Sequence, residues 1–92
     1  MYLEIVSPEA TLFAGDIRSV IVPGVNGEFQ MLENHAPIVS LLRRGDVKIE
    51  ADGGIAEDFE NRFSTAADGK TVLHINSGTV ELKDNRVIVL AD

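Results

Sequence analysis

The chain has 92 residues, 45% of them apolar, with fifteen acidic and eight basic side chains, a net charge of −7 and no cysteine. That length supports one small hydrophobic core in a folded chain, and the missing cysteine removes disulfides and thiolate chemistry together. The acidic balance repels nucleic-acid phosphates and anionic lipid surfaces, and no run of about 18 apolar residues exists to span a bilayer. The N-terminus lacks a basic-then-apolar signal pattern, so neither export nor organelle import is expected.

Residues 2–7 read as a first strand, ended by Ser7-Pro8-Glu9, because proline gives up a ladder donor and restricts its neighbour. Residues 11–14 form a second strand, with Gly15-Asp16 as a turn or bulge. Residues 17–22 alternate, with Ile17, Ser19 and Ile21 opposite Arg18, Val20 and Val22, and their β-branched content favours a strand. Pro23-Gly24 and Asn26-Gly27 are two turn signals. A short strand follows, with Phe29 and Met31 on one face and Glu28 and Gln30 on the other. Asn34-His35-Ala36-Pro37 then makes a polar kink before an apolar strand over 38–42.

Arg43-Arg44-Gly45-Asp46 reads as a turn, and residues 47–50 alternate again, with Val47 and Ile49 inward. Asp52-Gly53-Gly54 interrupts the pattern. Ile55, Phe59 and Phe63 lie at i, i+4 and i+8, so residues 55–67 hold one helical turn or an irregular hairpin. The acids Asp46, Glu50, Asp52, Glu57, Asp58 and Glu60 crowd this region as a solvated face. Residues 71–76, 79–82 and 86–90 are closing strands, with Lys83-Asp84-Asn85 as the last hairpin turn. The expectation is an all-β fold: two packed antiparallel sheets in a β-sandwich of about ten short strands, one domain over 1–92.

Few routes to catalysis are open. His35 and His74 are far apart, with no His-x-x-x-His pair and no cysteine, so a zinc site is not expected. No Gly-x-Ser-x-Gly elbow is present, and Asn76-Ser77-Gly78 reads as a strand-end turn. Gly24-Val25-Asn26-Gly27 lacks the Lys-Ser/Thr of a phosphate loop and precedes a strand, which makes it a hairpin tip. No catalytic residue, metal or cofactor is expected. His35 has two readings: it bonds nearby backbone to fix the kink, or it is an exposed contact at a protein interface. A hydrolase or sugar-binding β protein would need converging polar groups, whereas the polar residues here fall mostly at turns. An oligonucleotide-binding barrel would need a basic, aromatic face, against one tyrosine, four phenylalanines and net −7.

Gly27-Glu28 leading into an apolar strand, then His35-Ala36-Pro37 followed by aliphatics, is a specific pair at this spacing. With Ile75-Asn76-Ser77-Gly78 and the closing Val87-Ile88-Val89-Leu90-Ala91-Asp92, it resembles the N-terminal β-sandwich domain of the F-type ATP synthase epsilon subunit. The resemblance covers nearly the whole chain apart from 51–70, which is longer than the matching hairpin in many relatives. It implies a non-catalytic rotor subunit of the central stalk, coupling the gamma subunit to the c-ring during ATP synthesis. It implies a peripheral place on the cytoplasmic face of the bacterial inner membrane, with no nucleotide and no direct lipid insertion. The implied c-ring loop is Val25, Asn26, Gly27 and Glu28, with Glu28 as the ionic contact. The implied gamma-facing residues are Ser7, His35 and Ser40, with Leu42 beside them.

Two departures from the pattern stand out. Longer relatives continue into a two-helix C-terminal domain that can inhibit hydrolysis or bind ATP; the sequence stops at Asp92, so neither activity is expected of it. Many relatives also carry a second glycine where this chain has Thr79. The alternative function is a β-sandwich adaptor with a different protein partner.

Overall fold

The computed structural model describes residues 1–51 and 63–92. Their strands are β1 (Tyr2–Val6), β2 (Thr11–Asp16), β3 (Ser19–Gly24), β4 (Gly27–Leu32) and β5 (Ile38–Leu42), then β6 (Gly45–Glu50), β7 (Ser64–Thr65), β8 (Thr71–Ile75), β9 (Gly78–Lys83) and β10 (Arg86–Ala91). No helix occurs among the described residues. The fold is all-β, because aliphatic and polar residues alternate with the period of two that a pleated strand divides between core and solvent.

The strands form one curled, continuous path that makes two layers. One layer runs β2-β1-β10-β9-β5 and the other β4-β3-β6-β8-β7, and a single residue pair, Gly24 with Leu42, joins β3 to β5 between them. Every pairing is antiparallel except β1 with β10, which run side by side in the same direction. Leu3, Ile5, Val80, Leu82, Val87 and Val89 of the first layer are at most 1% exposed. They face Val20, Val22, Met31, Val47, Ile49 and Leu73 of the second, each at most 2% exposed. Burying each such side chain is worth about 1.5–3 kcal/mol, which is what closes the layers on each other.

Several boundaries differ from the sequence reading, each for a local reason. β2 continues through Gly15 and Asp16, which pair with Leu3 and Tyr2; the irregularity comes earlier in β2, at Leu12, the extra residue between Phe13 opposite Ile5 and Thr11 opposite Val6. Pro23 and Gly24 belong to β3, not to a turn, and the reversal is the two residues Val25-Asn26 between the paired Gly24 and Gly27. Pro23 fits a strand because its carbonyl points to the Arg43 N–H at 2.8 Å. The N–H it lacks would have pointed to that same corner, so no bond to β4 is lost. Gly24 has no room for a side chain: a Cβ would lie 2.7 Å from the Gly27 carbonyl and 2.8 Å from the Phe29 ring.

The clean alternation expected over 17–22 is not a clean burial pattern, since Ser19 is buried along with Val20, Val22 and Pro23. β3 is flanked by β4 and β6, and Lys48 Nζ of β6 reaches Glu28 Oε2 of β4 at 3.3 Å. Those two stems roof the outer side of β3 and shield it. The strand ends expected at Asn76 and Leu82 fall at Ile75 and Lys83, and the closing turn is Asp84-Asn85 alone. Both turn residues have positive φ, 52° and 61°, as a two-residue hairpin of the right twist requires. Of the expected helical turn or irregular hairpin over 55–67, residues 55–62 lie outside the described residues. At the described end, Ser64 and Thr65 pair with Val72 and Thr71, and Phe63 meets Phe13 edge-on at 6.1 Å between ring centroids.

Candidate functional site

The register of the first layer places two rows of side chains across its outer surface. One row is Val39, Glu81, Ile88 and Glu4; the next is Leu41, Thr79, Leu90 and Val6. Val39 is 73% and Leu41 62% exposed, with Ile88, Leu90 and Val25 also open to solvent. The outer side of the second layer is chemically opposite. It carries the Lys48–Glu28 pair, Gln30, and a His74 Nδ1 to Asp46 Oδ1 contact of 3.0 Å. The second face is mainly polar, with Leu32 as its exposed apolar residue, whereas the first concentrates Val39, Leu41, Ile88 and Leu90 in water beside Glu4 and Glu81, an apolar excess of the kind found at contact surfaces.

The same register sorts the loops into two ends. One end gathers the Ser7–Ala10 turn, Val25-Asn26, Arg43-Arg44, Ser77 and Asp92; the other gathers Met1, the Asn34–Pro37 kink and Asp84-Asn85. Val25, Asn26, Gly27 and Glu28 are together at the first end, as one hairpin tip. Its shape depends on Gly27, whose φ of 125° is costly for any side-chain-bearing residue. The Val25 N–H donates to the Leu41 carbonyl at 3.1 Å, which ties the tip to β5.

Ser7, His35, Ser40 and Leu42 are not brought to one point. Ser7 is 8% exposed, and its hydroxyl donates to the Ala10 carbonyl at 3.2 Å, so it shapes the β1–β2 turn. Leu42 is 4% exposed and belongs to the core. Ser40 is half-buried in the middle of β5, its hydroxyl 3.2 Å from the Leu41 carbonyl. His35 lies at the opposite end from Ser7, exposed, with Nδ1 2.6 Å from the Ala36 carbonyl. The side chain thus meets the adjacent backbone, as the first reading expects, and is open to solvent.

Sequence reasoning missed Val39 and Leu41. Ile38, Val39, Leu41 and Leu42 are all apolar, so alternation gave no parity for β5, and only its pairing with β9 shows that the odd positions face outward. It also missed a clasp between distant loops. The Asn34 N–H donates to Asn85 Oδ1 at 2.7 Å, and the Asn85 amide donates to Asn34 Oδ1 at 3.1 Å. Asn34 has φ 66°, so two left-handed asparagines hold the His35 loop against the β9–β10 turn. Asn85→Gly keeps the turn but loses the clasp, and is expected to cost about 1 kcal/mol. Asn85→Ala adds the left-handed penalty and should cost about 1–2 kcal/mol more in urea unfolding. Equal losses for the two variants would remove the backbone contribution.

Reactive groups do not converge on the apolar side. An open hollow of about 640 Å³ there includes Ser7, Val25, Leu41, Leu42 and Leu90 in its lining. Its acid, Asp92, accepts from the Ser77 hydroxyl at 2.5 Å. Among the described residues, no three His, Cys, Asp or Glu side chains come together as metal ligands. The Asp68 carboxyl is held below its usual range chiefly by the Lys70 N–H at 3.0 Å, in the β7–β8 turn. The fold is thus that of a β-sandwich domain, with a loop end and an apolar flank.

Residues 1–60 match the family described as ATP synthase, Delta/Epsilon chain, beta-sandwich domain. The chain belongs to that family. It is 38% identical over 92 residues to the ATP synthase epsilon chain of Campylobacter fetus and 36% identical to that of Campylobacter curvus. All of this chain aligns with 60% of each of those relatives, so it spans about three fifths of their length. The ATP synthase epsilon chain of Chlorobaculum tepidum is 34% identical over 90 residues, covering 98% of this chain and 86% of the relative. The fold matches a chain in the Tetrahymena thermophila mitochondrial ATP synthase central stalk and c-ring structure with a TM-score of 0.74 at 13% identity, over 99% of this chain and 62% of that one. It matches a chain of the Euglena gracilis mitochondrial ATP synthase with a TM-score of 0.73 at 17% identity, over 97% and 48%.

Proposed function

We propose that this chain serves as the β-sandwich of an epsilon-type central-stalk subunit, coupling the gamma subunit to the c-ring during ATP synthesis on the cytoplasmic face of a bacterial membrane. The role is mechanical and uses no nucleotide, metal or lipid insertion. The observation that carries it is the contrast between the two outer faces. A rotor clamp needs a stiff body with one apolar flank for a lasting partner, and the Val39–Leu41–Leu90 flank supplies it. His35, in the kink before β5, is the exposed polar member of the proposed gamma contact; Ser40 points inward from β5 and, with Ser7 and Leu42, supports the flank from beneath.

The Val25–Glu28 tip is the proposed c-ring contact. Glu28 already faces Lys48 at 3.3 Å, so its attraction for a c-ring cation is shared within the chain. A half-exposed pair of this kind is worth about 0–1 kcal/mol, and the tip acts by shape as much as by charge.

The test is capture of the gamma subunit from the same organism by the tagged chain. Wild type should retain it through washing, and His35→Ala should weaken binding roughly five- to thirtyfold. The variant's melting temperature should not move, because the side chain bonds only the adjacent carbonyl. Failure of the wild-type chain to retain gamma would overturn the gamma assignment and favour an adaptor with another partner.

A further inference from the structure

We propose that the free edge of β5 is a strand-addition site, at which an extended partner segment pairs with the backbone of Val39 and Leu41. This rests on the gamma reading for the partner's identity, but its chemistry comes from the backbone. The Leu41 carbonyl accepts from Val25 N at 3.1 Å, and the Arg43 N–H donates to the Pro23 carbonyl at 2.8 Å, so odd-numbered residues of β5 point away from β9. Alternate residues of a strand aim their N–H and C=O groups the same way. The Leu41 N–H and both backbone groups of Val39 therefore lie along the outer edge, while Ser40 and Leu42 bond across to Val80 and Gly78.

Among the described residues, no strand of the chain's own ladder takes those groups. β3 pairs with β5 only at Gly24 and Leu42, then turns to pair with β6 over Ser19, Val20 and Ile21. Ile38 and Ser40 point inward with Leu82 and Val80, yet remain half-exposed because no strand flanks them. The other edges carry protections that β5 lacks. β2 carries a bulge at Leu12 and ends in Asp16, β4 bears Glu28 and Gln30, and β7 is two residues long. β5 has no charge, proline or register shift within it. An apolar edge of that kind is suited to another strand.

The occupant is a segment of a different chain, not a second copy. Two copies of β5 paired antiparallel about Ser40 would set Arg43 against Pro37 and Arg44 against Ala36, leaving both arginines without an acid. They would also join two chains of net charge −7. The edge instead calls for apolar side chains beside Val39 and Leu41 and a carboxylate over the exposed Arg43-Arg44. Partner recognition is then main-chain in the middle and ionic at one end.

Residue-resolved amide exchange tests this in the isolated chain and in its complex with the gamma subunit. The Val39 and Leu41 amides should exchange freely in the isolated chain and slow by about a hundredfold in the complex, whereas Ser40 and Leu42 should be protected in both. Leu41→Pro removes the outward N–H without touching the β9 ladder. It should bind gamma about tenfold more weakly than Leu41→Val. Unchanged exchange at Val39 and Leu41 within a stable complex would overturn strand addition while leaving the gamma reading intact. Should gamma not bind, a synthetic Val-Thr alternating peptide ending in aspartate is the second probe. Slowed exchange at the same two amides would support the edge site without gamma, and no slowing would overturn it.

Discussion

Gly78→Val should destabilise the fold by about 3 kcal/mol and lower its melting temperature by on the order of 15 °C. Gly78 opens β9 and pairs with Ala91 on one side and Leu42 on the other. A Cβ at this position would press on the Leu90 carbonyl oxygen, which belongs to backbone, so relief requires moving β10 itself. Such movement would also disturb Val87 and Val89, which are fully buried. The neighbouring Thr79 is the control, since it points outward between Leu41 and Leu90. Thr79→Val should stay within about 0.5 kcal/mol of wild type. The departure from the second glycine of many relatives is thus accommodated at the outward position. Urea midpoints for the two variants separate the cases, and a Gly78→Val midpoint equal to wild type would show that β10 gives way at little cost.

Val39→Lys with Leu41→Lys should reduce gamma binding by about a hundredfold or more, because two central apolar anchors are replaced by charges that must be desolvated. The isolated fold should keep its stability to within about 1 kcal/mol, since both side chains lie mostly in water and lysine is a common residue on natural edge strands. The comparison that decides the matter is Ile88→Lys, two strands away on the same face. A contact centred on β5 predicts a smaller loss there. Binding unaffected by the double lysine variant would move the interface off this face altogether.

Much of the molecule was legible from residue order. Period-two alternation located Val47 and Ile49 inward and Glu28 and Gln30 outward, and the structure places them so. The hairpin at Asp84-Asn85 and the tip ending at Gly27 were readable because left-handed backbone is costly for most side chains, which narrows the residues found there. Errors clustered where local chemistry had two outlets. Pro23-Gly24 carries a turn signature, but a proline at a strand corner and a glycine under the Phe29 ring use the same two residues. Gly15-Asp16 likewise stays in its strand, because Leu3 and Tyr2 are there to pair with.

The candidate site was less legible than the fold. Composition indicated that binding, not chemistry, was the direction, and the Gly27-Glu28 and His35-Ala36-Pro37 pieces pointed to the family that residues 1–60 match. Leu42 was placed beside the contact, yet it is a core residue, and Val39 and Leu41 are the exposed neighbours.

By itself, then, the sequence determined the strand class, the turn chemistry and the absence of thiol chemistry, because these depend on the residue and its near neighbours. Tertiary structure alone decided which parity of β5 meets water, which edge of that strand is left open, and that Asn34 reaches Asn85 across 51 positions of chain. An all-apolar strand has no local preference between its faces; β9 on one side and the turn of β3 toward β6 on the other impose it.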